Sequence, residues 1–168
     1  MTALPEQLPT APRTSLVHGD FGLYNLIIHP TQPAVAAVLD WEISTLGDPL
    51  ADLAHHLMPY YLPPDLQRGS VSSIVGCDLA MLGIPDAETY VARYCERVGL
   101  SGFTNQQFYL SYSLFRYAAM IQGILKRAQS GSAANHAMLH TQERVVLLAA
   151  AARQRLQMSQ GCQDERKF

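Results

Sequence analysis

Three side chains that carry oxygen atoms stand at spacings that suit the transfer of a phosphoryl group. Asp20 and Asn25 share one short stretch, and Asp40 ends an apolar run further along the chain. Phosphoryl transfer needs a carboxylate that orients the acceptor hydroxyl and takes its proton, and it needs hard oxygen ligands that hold Mg²⁺ on the triphosphate. Asp20 can meet the first need, and Asn25 with Asp40 can meet the second. Taken singly, each is better explained as a turn residue, because Asp and Asn favour turns, but their combination with His18, Trp41 and the segment GDPLADLA favours the functional interpretation.

Short strands are needed to bring these side chains together. Two apolar runs, Asn25–His29 and Ala34–Leu39, are joined by a turn that contains Pro30 and Pro33. This pattern predicts a β-hairpin. The hairpin would bring its two open ends, where Asn25 and Asp40 lie, close together.

The rest of the sequence predicts helices. Helix starts are indicated at Asp48–Pro49, with Asp48 as the N-cap, and at Pro85–Asp86. A capping pattern at Thr104–Gln107 opens a long helix that runs to about Ser130, and a last helix is predicted over residues 133–157. We therefore expect an α+β fold that is mainly α, a small hairpin followed by a helical bundle. The expected organisation is a leader over residues 1–14, one domain over 15–158 and a flexible tail over 159–168.

The motifs together resemble a known family. The segments HGD-x-x-x-x-N, LDWE and GDP-x-x-DLA are similar to those of the aminoglycoside phosphotransferase and choline kinase superfamily. The resemblance is strongest to the phosphotransferase domain of acyl-CoA dehydrogenase family members 10 and 11 and to stand-alone bacterial relatives, and it covers residues 15–150. It implies a fold like the C-terminal lobe of protein kinases, with ATP or GTP and Mg²⁺ as cofactors.

The resemblance also implies roles for individual residues. Asp20 would be the catalytic base, and His18 would shape the loop around it by hydrogen bonding. Asn25 and Asp40 would be Mg²⁺ ligands, and Glu42 would help the metal or bind substrate.

Two further residues of these motifs, Asp52 and Asp48, would support the catalytic loop. Asp52 would accept hydrogen bonds from the loop's backbone, and Asp48 would cap the helix that carries Asp52. Gly19 occupies the place of the Arg in the protein-kinase HRD motif, so control through a phosphorylated activation loop is not expected.

The nucleotide-clamping elements of a kinase are not found in the sequence. Such enzymes place a Gly-rich loop and a strand Lys before the catalytic loop. Only 17 residues precede His18, with no Gly and no Lys among them, and the lysines of the chain are Lys126 and Lys167. We interpret the chain as a C-terminal lobe without its N-terminal lobe, a fragment rather than a natural reduced protein. Its expected partners are then a separate N-lobe or a second copy of the chain.

Composition excludes several other classes of function. The formal net charge is −2, no stretch is strongly basic, and no apolar run is long enough to span a membrane, so neither nucleic acid nor a membrane is an expected partner. The N-terminus lacks the pattern of a signal peptide, and a cytoplasmic location is expected. The three cysteines form no CxxC motif, so neither a disulfide framework nor a zinc site is predicted.

Several residues allow a structural as well as a functional interpretation. Trp41 is predicted to be a core residue rather than a substrate platform, and the neighbours His55 and His56 to be packing or surface residues. Arg116 is predicted to be a solvated helix charge rather than a contact for an anionic acceptor. The pair His136 and His140 is interpreted as exposed rather than as zinc ligands, because no third ligand is evident.

Three functions remain open from the sequence. The first is phosphoryl transfer to a small-molecule hydroxyl, with a hydroxyacyl-CoA or a hydroxy acid as the acceptor class that the resemblance implies. The second is a non-catalytic C-lobe that serves as a binding module. The third is a fragment of an aminoglycoside or other antibiotic kinase.

Overall fold

Four short strands precede four helices in the computed structural model of the chain, which describes residues 4–9, 13–66, 71–129 and 142–164. The predicted order of a hairpin followed by a helical bundle is confirmed. The strands are β1 (Ser15–Val17), β2 (Leu26–Ile28), β3 (Val35–Val38) and β4 (Thr45–Gly47), and the helices are α1 (Leu50–Leu57), α2 (Ala87–Val98), α3 (Gln106–Gln129) and α4 (Gln142–Asp164).

The strands form two nested antiparallel pairs. Strand β2 pairs with β3 as the predicted hairpin, and β1 pairs with β4 around it. The hairpin is shorter than predicted because Asn25 closes a single 3₁₀ turn, Leu23–Asn25, before β2 begins. The backbone N–H of Leu39 donates to the carbonyl of Asn25 at 2.8 Å. The pairing therefore sets Asp40, the next residue after Leu39, beside Asn25.

The strands carry apolar side chains that are open to solvent. Leu16 and Leu46 face each other across β1 and β4 and are 61% and 73% exposed. The strands thus contribute backbone geometry more than core. Other exposed apolar residues on or beside them are Ile27, Ile28, Val35, Leu39 and Ile43.

Helix ends follow the predicted chemistry in part. Asp86 caps α2, accepting a hydrogen bond from the Thr89 N–H at 2.7 Å, and Gly99 ends this helix in the left-handed conformation that glycine adopts without strain. The predicted start of α1 was one residue early. The helix begins at Leu50, but Asp48 accepts the Leu50 N–H at 2.9 Å, which is the capping bond expected of this residue.

Two other predicted helix boundaries were wrong. The carbonyl of Asn105, itself at φ 55°, accepts from the N–H groups of Phe108 and Tyr109, so α3 starts at Gln106 without a cap from Thr104. Helix α4 extends past the predicted end at Gln157. The start predicted for this helix and the pair His136 and His140 lie outside the described residues.

The core is built around α3. Leu110 faces the cluster formed with α1, and Leu114, one turn later, faces the cluster formed with α4; both are fully buried. Burial of each leucine stabilises the fold by about 1.5–3 kcal/mol. Helix α3 therefore fixes α1, which follows the strands directly. None of the described helices is long and apolar enough to cross a membrane.

The buried hydroxyl of Tyr109 ties α3 to the start of α1 and gives the stability of the fold a pH dependence. It donates to Asp48 Oδ2 at 2.6 Å. Burial, followed by the hydrogen bond and charge of Asp48, raises the pKa of Tyr109 above the ordinary 10.0. The pKa is thus higher in the folded state than in the unfolded state, so the stabilisation is complete below pH 10 and is lost as pH rises further.

Tyr109→Phe should lower the free energy of unfolding by about 1–3 kcal/mol at pH 8. Above pH 10 it should also make the loss of stability with pH less steep. Urea unfolding at pH 8 and at pH 10.5 measures both effects. Tyr112→Phe, at an exposed position on the same helix, is the matched control. Equal pH slopes for the parent chain and Tyr109→Phe would contradict this account.

Candidate functional site: a phosphotransfer loop beside a cavity

A carboxylate of α1 fixes the loop that leads from β1 to Asp20. Asp52 Oδ2 accepts the backbone N–H of His18 at 2.6 Å, and Asp52 Oδ1 accepts that of Gly19 at 2.9 Å. Hydrogen bonds to an ionised acceptor are about twice as strong as neutral ones. Two of them on adjacent residues hold the loop against the first turn of the helix.

The His18 ring joins this loop to the end of β3. It is 2% exposed. Its Nδ1 accepts the Asp20 N–H at 3.2 Å, so Nε2 carries the proton and donates it to the Leu39 carbonyl at 2.7 Å. The ring of Trp41 lies 4.7 Å from that of His18 but is 44% exposed, so the prediction of a core tryptophan was wrong. His18 thereby fixes the spacing of Asp20 and Asp40.

The carboxylate of Asp20 accepts hydrogen bonds on both oxygens. Oδ1 accepts from the Tyr24 hydroxyl at 2.7 Å and lies 2.9 Å from His55 Nε2. The amide Nδ2 of Asn25 donates to the Asp20 carbonyl at 2.9 Å and approaches Oδ2 at 3.3 Å. The hydrogen bond from His55 lowers the pKa of Asp20 from 3.8 to about 2, against the opposing effect of burial and with the help of Tyr24 and Asn25. Asp20 is therefore ionised at neutral pH.

Asn25 and Asp40 present oxygen atoms on adjacent ends of β2 and β3. The amide of Asn25 cannot be reversed without turning its oxygen toward two oxygens of Asp20, so Oδ1 faces away from Asp20. Within the described residues, no hydrogen bond occupies Asn25 Oδ1 or the carboxylate of Asp40. Two such oxygen ligands suit Mg²⁺, which usually takes one or two carboxylates and completes its shell with phosphate and water.

The backbone at Asp40 sets the direction of its side chain. Asp40 has φ 66° and ψ 48° and stands immediately before the short 3₁₀ turn Trp41–Ile43. A left-handed conformation is uncommon for residues other than glycine, although Asp tolerates it better than most. Glu42 lies exposed on this turn. The described residues contain no group of three or more His, Cys, Asp or Glu side chains that could hold a metal ion. A cation at this site would therefore depend on phosphate oxygens as well.

Gly19 occupies a backbone position that favours glycine. Its φ is +85°, and a Cβ atom added there would lie 3.0 Å from the carbonyl oxygen of Ile43. Both the conformation and the contact therefore disfavour other residues between His18 and Asp20.

A cavity of about 340 Å³ is lined in part by the side chains that contact the Asp20 carboxylate. Tyr24 and His55, which contact Asp20 Oδ1, both form part of its wall. No Asp, Glu, Lys or Arg is present among the described residues that line it. These residues are Gly22, Leu23, Tyr24, His55, His56, Pro59, Tyr60, Val71, Ser72, Ile74, Ile84, Pro85 and Tyr90.

Three residues in contact around Asp20 were not predicted to belong to the site. They are Tyr24, His55 and Arg116, whose Nη2 lies 3.2 Å from His55 Nδ1. His55 is buried, as its predicted packing role requires, but it also contacts Asp20, and the prediction of a solvated Arg116 was wrong. One signal was present in the sequence, because Asp52 and His55 are three residues apart and so share a face of α1. The pairing with Arg116 depends on how α3 packs and had no local signal.

Sequence comparison identifies the family to which this fold and loop belong. The model of the phosphotransferase enzyme family APH matches residues 1–101. The chain belongs to this family, so the resemblance found in its motifs is confirmed.

Individual relatives agree with this assignment. Acyl-CoA dehydrogenase family member 10 of Mus musculus is 48% identical over 134 residues, which are 79% of this chain and 12% of that protein. Family member 11 of Homo sapiens is 39% identical over 122 residues, which are 70% of this chain and 15% of that protein. A crystal structure of a provisionally assigned aminoglycoside phosphotransferase from Ralstonia eutropha JMP134 superposes with a TM-score of 0.82 at 40% identity, covering 94% of this chain and 47% of that one. The chain thus spans less than a sixth of these curated relatives and about half of the crystallised protein.

Proposed function

We propose that the chain carries the catalytic and metal-binding residues of a Mg²⁺-dependent phosphotransferase. It would move the γ-phosphoryl group of ATP or GTP to the hydroxyl of a small molecule of the hydroxyacyl-CoA or hydroxy acid class. One observation carries the proposal, namely that the ionised Asp20 carboxylate contacts Tyr24 and His55, two side chains that line a cavity that can hold an acceptor.

Asp20 would orient the acceptor hydroxyl and take its proton. As that O–H bond breaks, the hydroxyl oxygen bonds to the γ-phosphorus, and the bond from this phosphorus to the β–γ bridging oxygen breaks. The products are a phosphate monoester and the nucleoside diphosphate, with the proton on Asp20. The pKa of about 2 makes Asp20 a weak base, which suits a loose transition state in which the proton moves late.

The remaining motif residues would hold the phosphates and the loop. Mg²⁺, when bound, would neutralise charge on the β- and γ-phosphates. Asn25 Oδ1 and the Asp40 carboxylate are its proposed protein ligands, and Glu42 is close enough in sequence to assist through water. His18, Asp48 and Asp52 would hold the backbone of the loop and of the start of α1 in place, through the hydrogen bonds described above.

The lining of the cavity favours an uncharged, largely apolar acceptor group. An aminoglycoside carries several ammonium groups, and a buried cation needs a carboxylate partner. The described lining offers none, whereas its tyrosine, proline and isoleucine side chains suit an acyl chain. The names of the relatives, which are acyl-CoA dehydrogenase family members, point the same way. The name of the crystallised relative keeps aminoglycosides as the second candidate.

Phosphoryl transfer from labelled Mg-ATP tests the proposal directly. The chain is incubated with a hydroxyacyl-CoA, the free hydroxy acid or an aminoglycoside, with and without EDTA. Label should enter the hydroxyacyl compound only when Mg²⁺ is present. Asp40→Ala should reduce this transfer by about 10²-fold or more, because a proposed metal ligand is lost. Asp78→Ala, in an exposed turn outside the site, is the matched control.

The other functions predict different results. Preferential labelling of the aminoglycoside would show that the acceptor is an aminoglycoside and not a hydroxyacyl compound. A melting temperature raised by Mg-ATP without any transfer would favour the non-catalytic binding module, since a ligand that binds only the folded state must stabilise it.

A further inference from the structure

The imidazole of His55 lies between the carboxylate of Asp20 and the guanidinium of Arg116. The ring is 2% exposed and comes from the second turn of α1. Its Nε2 is 2.9 Å from Asp20 Oδ1 and 2.9 Å from the Tyr24 hydroxyl, and its Nδ1 is 3.2 Å from Arg116 Nη2. The motifs that carry the family resemblance do not include His55.

The protons of this cluster can be assigned from its partners. A guanidinium has donors only and stays charged in proteins, so His55 Nδ1 must accept from Arg116. The single ring proton is then on Nε2. A doubly protonated ring would direct a second donor at the donors of Arg116 and would set two positive charges side by side. His55 is therefore neutral, with its N–H directed at Asp20 and Tyr24.

This arrangement distinguishes the two oxygens of Asp20. Oδ1 receives the Tyr24 hydroxyl and the His55 N–H, whereas Oδ2 has only the longer approach of Asn25 at 3.3 Å. Rotation of the carboxylate would sacrifice the donors on Oδ1. Oδ2 is thus the oxygen that keeps a lone pair open for a substrate proton.

We propose that His55 is a positioning residue whose tautomer is fixed by Arg116 and which holds Asp20 so that Oδ2 receives the acceptor proton. The proposal rests on the phosphotransfer role proposed for Asp20. A purely structural His55 would only fill space between α1 and the loop, and its tautomer would not matter.

NMR of the full chain tests the proposal without requiring turnover. In ¹⁵N-histidine-labelled protein at neutral pH, the His55 ring should show a protonated Nε2 and a bare Nδ1, with the resonance assigned by its loss in His55→Gln. Arg116→Met should give a mixture of both tautomers and should move the ¹³Cγ resonance of Asp20. Arg155 lies on α4 and stacks over the ring of Tyr61. Its substitution, Arg155→Met, should leave both signals unchanged. A proton on Nδ1, or an Asp20 resonance that is the same in Arg116→Met, would overturn the proposal.

Kinetics on the same variants separate positioning from packing. His55→Phe fills the space without a donor and should lower kcat by about 10²-fold, the effect of a misplaced reacting group, with KM changed less than about twofold. His55→Gln, whose amide can donate at the Nε2 position, should recover a large part of this loss. Equal kcat values for the two variants would refute the role of the N–H group. Absence of turnover in the parent chain would instead contradict the proposed function, and the NMR result would still decide the role of His55.

Discussion

Asp20→Asn should abolish nearly all phosphoryl transfer while leaving the fold intact. The amide oxygen can still accept from Tyr24 and His55, so the loop should keep its shape. The amide nitrogen, however, takes the position of Oδ2, where it cannot accept the acceptor proton. The loss of a positioned base costs about 10²–10⁴-fold. We expect a fall of this size in kcat with little change in KM, measured with the preferred hydroxyl acceptor.

The matched control for this prediction is Asp65→Asn. Asp65 is exposed in the loop after α1, so its amide variant makes the same charge change away from the site. It should keep the kcat of the parent chain. Both variants should melt within a few degrees of the parent, which separates a loss of catalysis from a loss of folding. If Asp20→Asn keeps a third or more of the parent activity, another group must take the proton.

Asp52→Ala should give the largest loss of stability among the residues of the site. The substitution removes the acceptor to which the His18 and Gly19 N–H groups donate, and the described residues offer these groups no other acceptor. Hydrogen bonds to a charged group contribute about 1.5–3 kcal/mol each, so the pair should cost roughly 3 kcal/mol or more. For a domain of this size that corresponds to a fall in Tm of about 6–12 °C.

Urea unfolding of three variants measures this effect. Asp52→Asn keeps one acceptor oxygen and should lose about half as much stability as Asp52→Ala. Asp65→Ala, at an exposed position, should stay within about 0.5 kcal/mol of the parent chain. If Asp52→Ala unfolds at the same urea concentration as Asp65→Ala, the two short hydrogen bonds do not stabilise the loop.

The elements that depend on local chemistry were predictable from the sequence. The β2–β3 hairpin followed from two apolar runs with a proline turn, and α2 followed from Asp86 at its start and Gly99 at its end. The wrong predictions concern features that local sequence does not determine. Trp41 is apolar in type, yet it lies exposed on the short turn that follows Asp40, which residue type alone does not reveal. Asn105 displaced the Thr104 cap through a backbone conformation that residue type alone does not reveal.

The same division applies to the site. Asp20, Asn25 and Asp40 were found because they belong to a motif with fixed spacing on one hairpin. Tyr24, His55 and Arg116 come from a turn, α1 and α3, and their contact requires all three elements to pack correctly. Spacing within one helix can indicate that His55 belongs to the site, because His55 shares a face of α1 with Asp52. Such spacing cannot indicate Arg116, which is 61 residues away from His55 along the chain.

The glycine between His18 and Asp20 restricts the evolutionary routes open to this loop. An HRD-type loop differs from HGD by one residue, but here an arginine would need a left-handed backbone at φ +85° and a Cβ atom 3.0 Å from the Ile43 carbonyl. The exchange would therefore strain the backbone and would require the Ile43 carbonyl to shift slightly. Acquisition of control by a phosphorylated segment would thus call for a compensating change in the turn at Trp41–Ile43, which follows Asp40 directly.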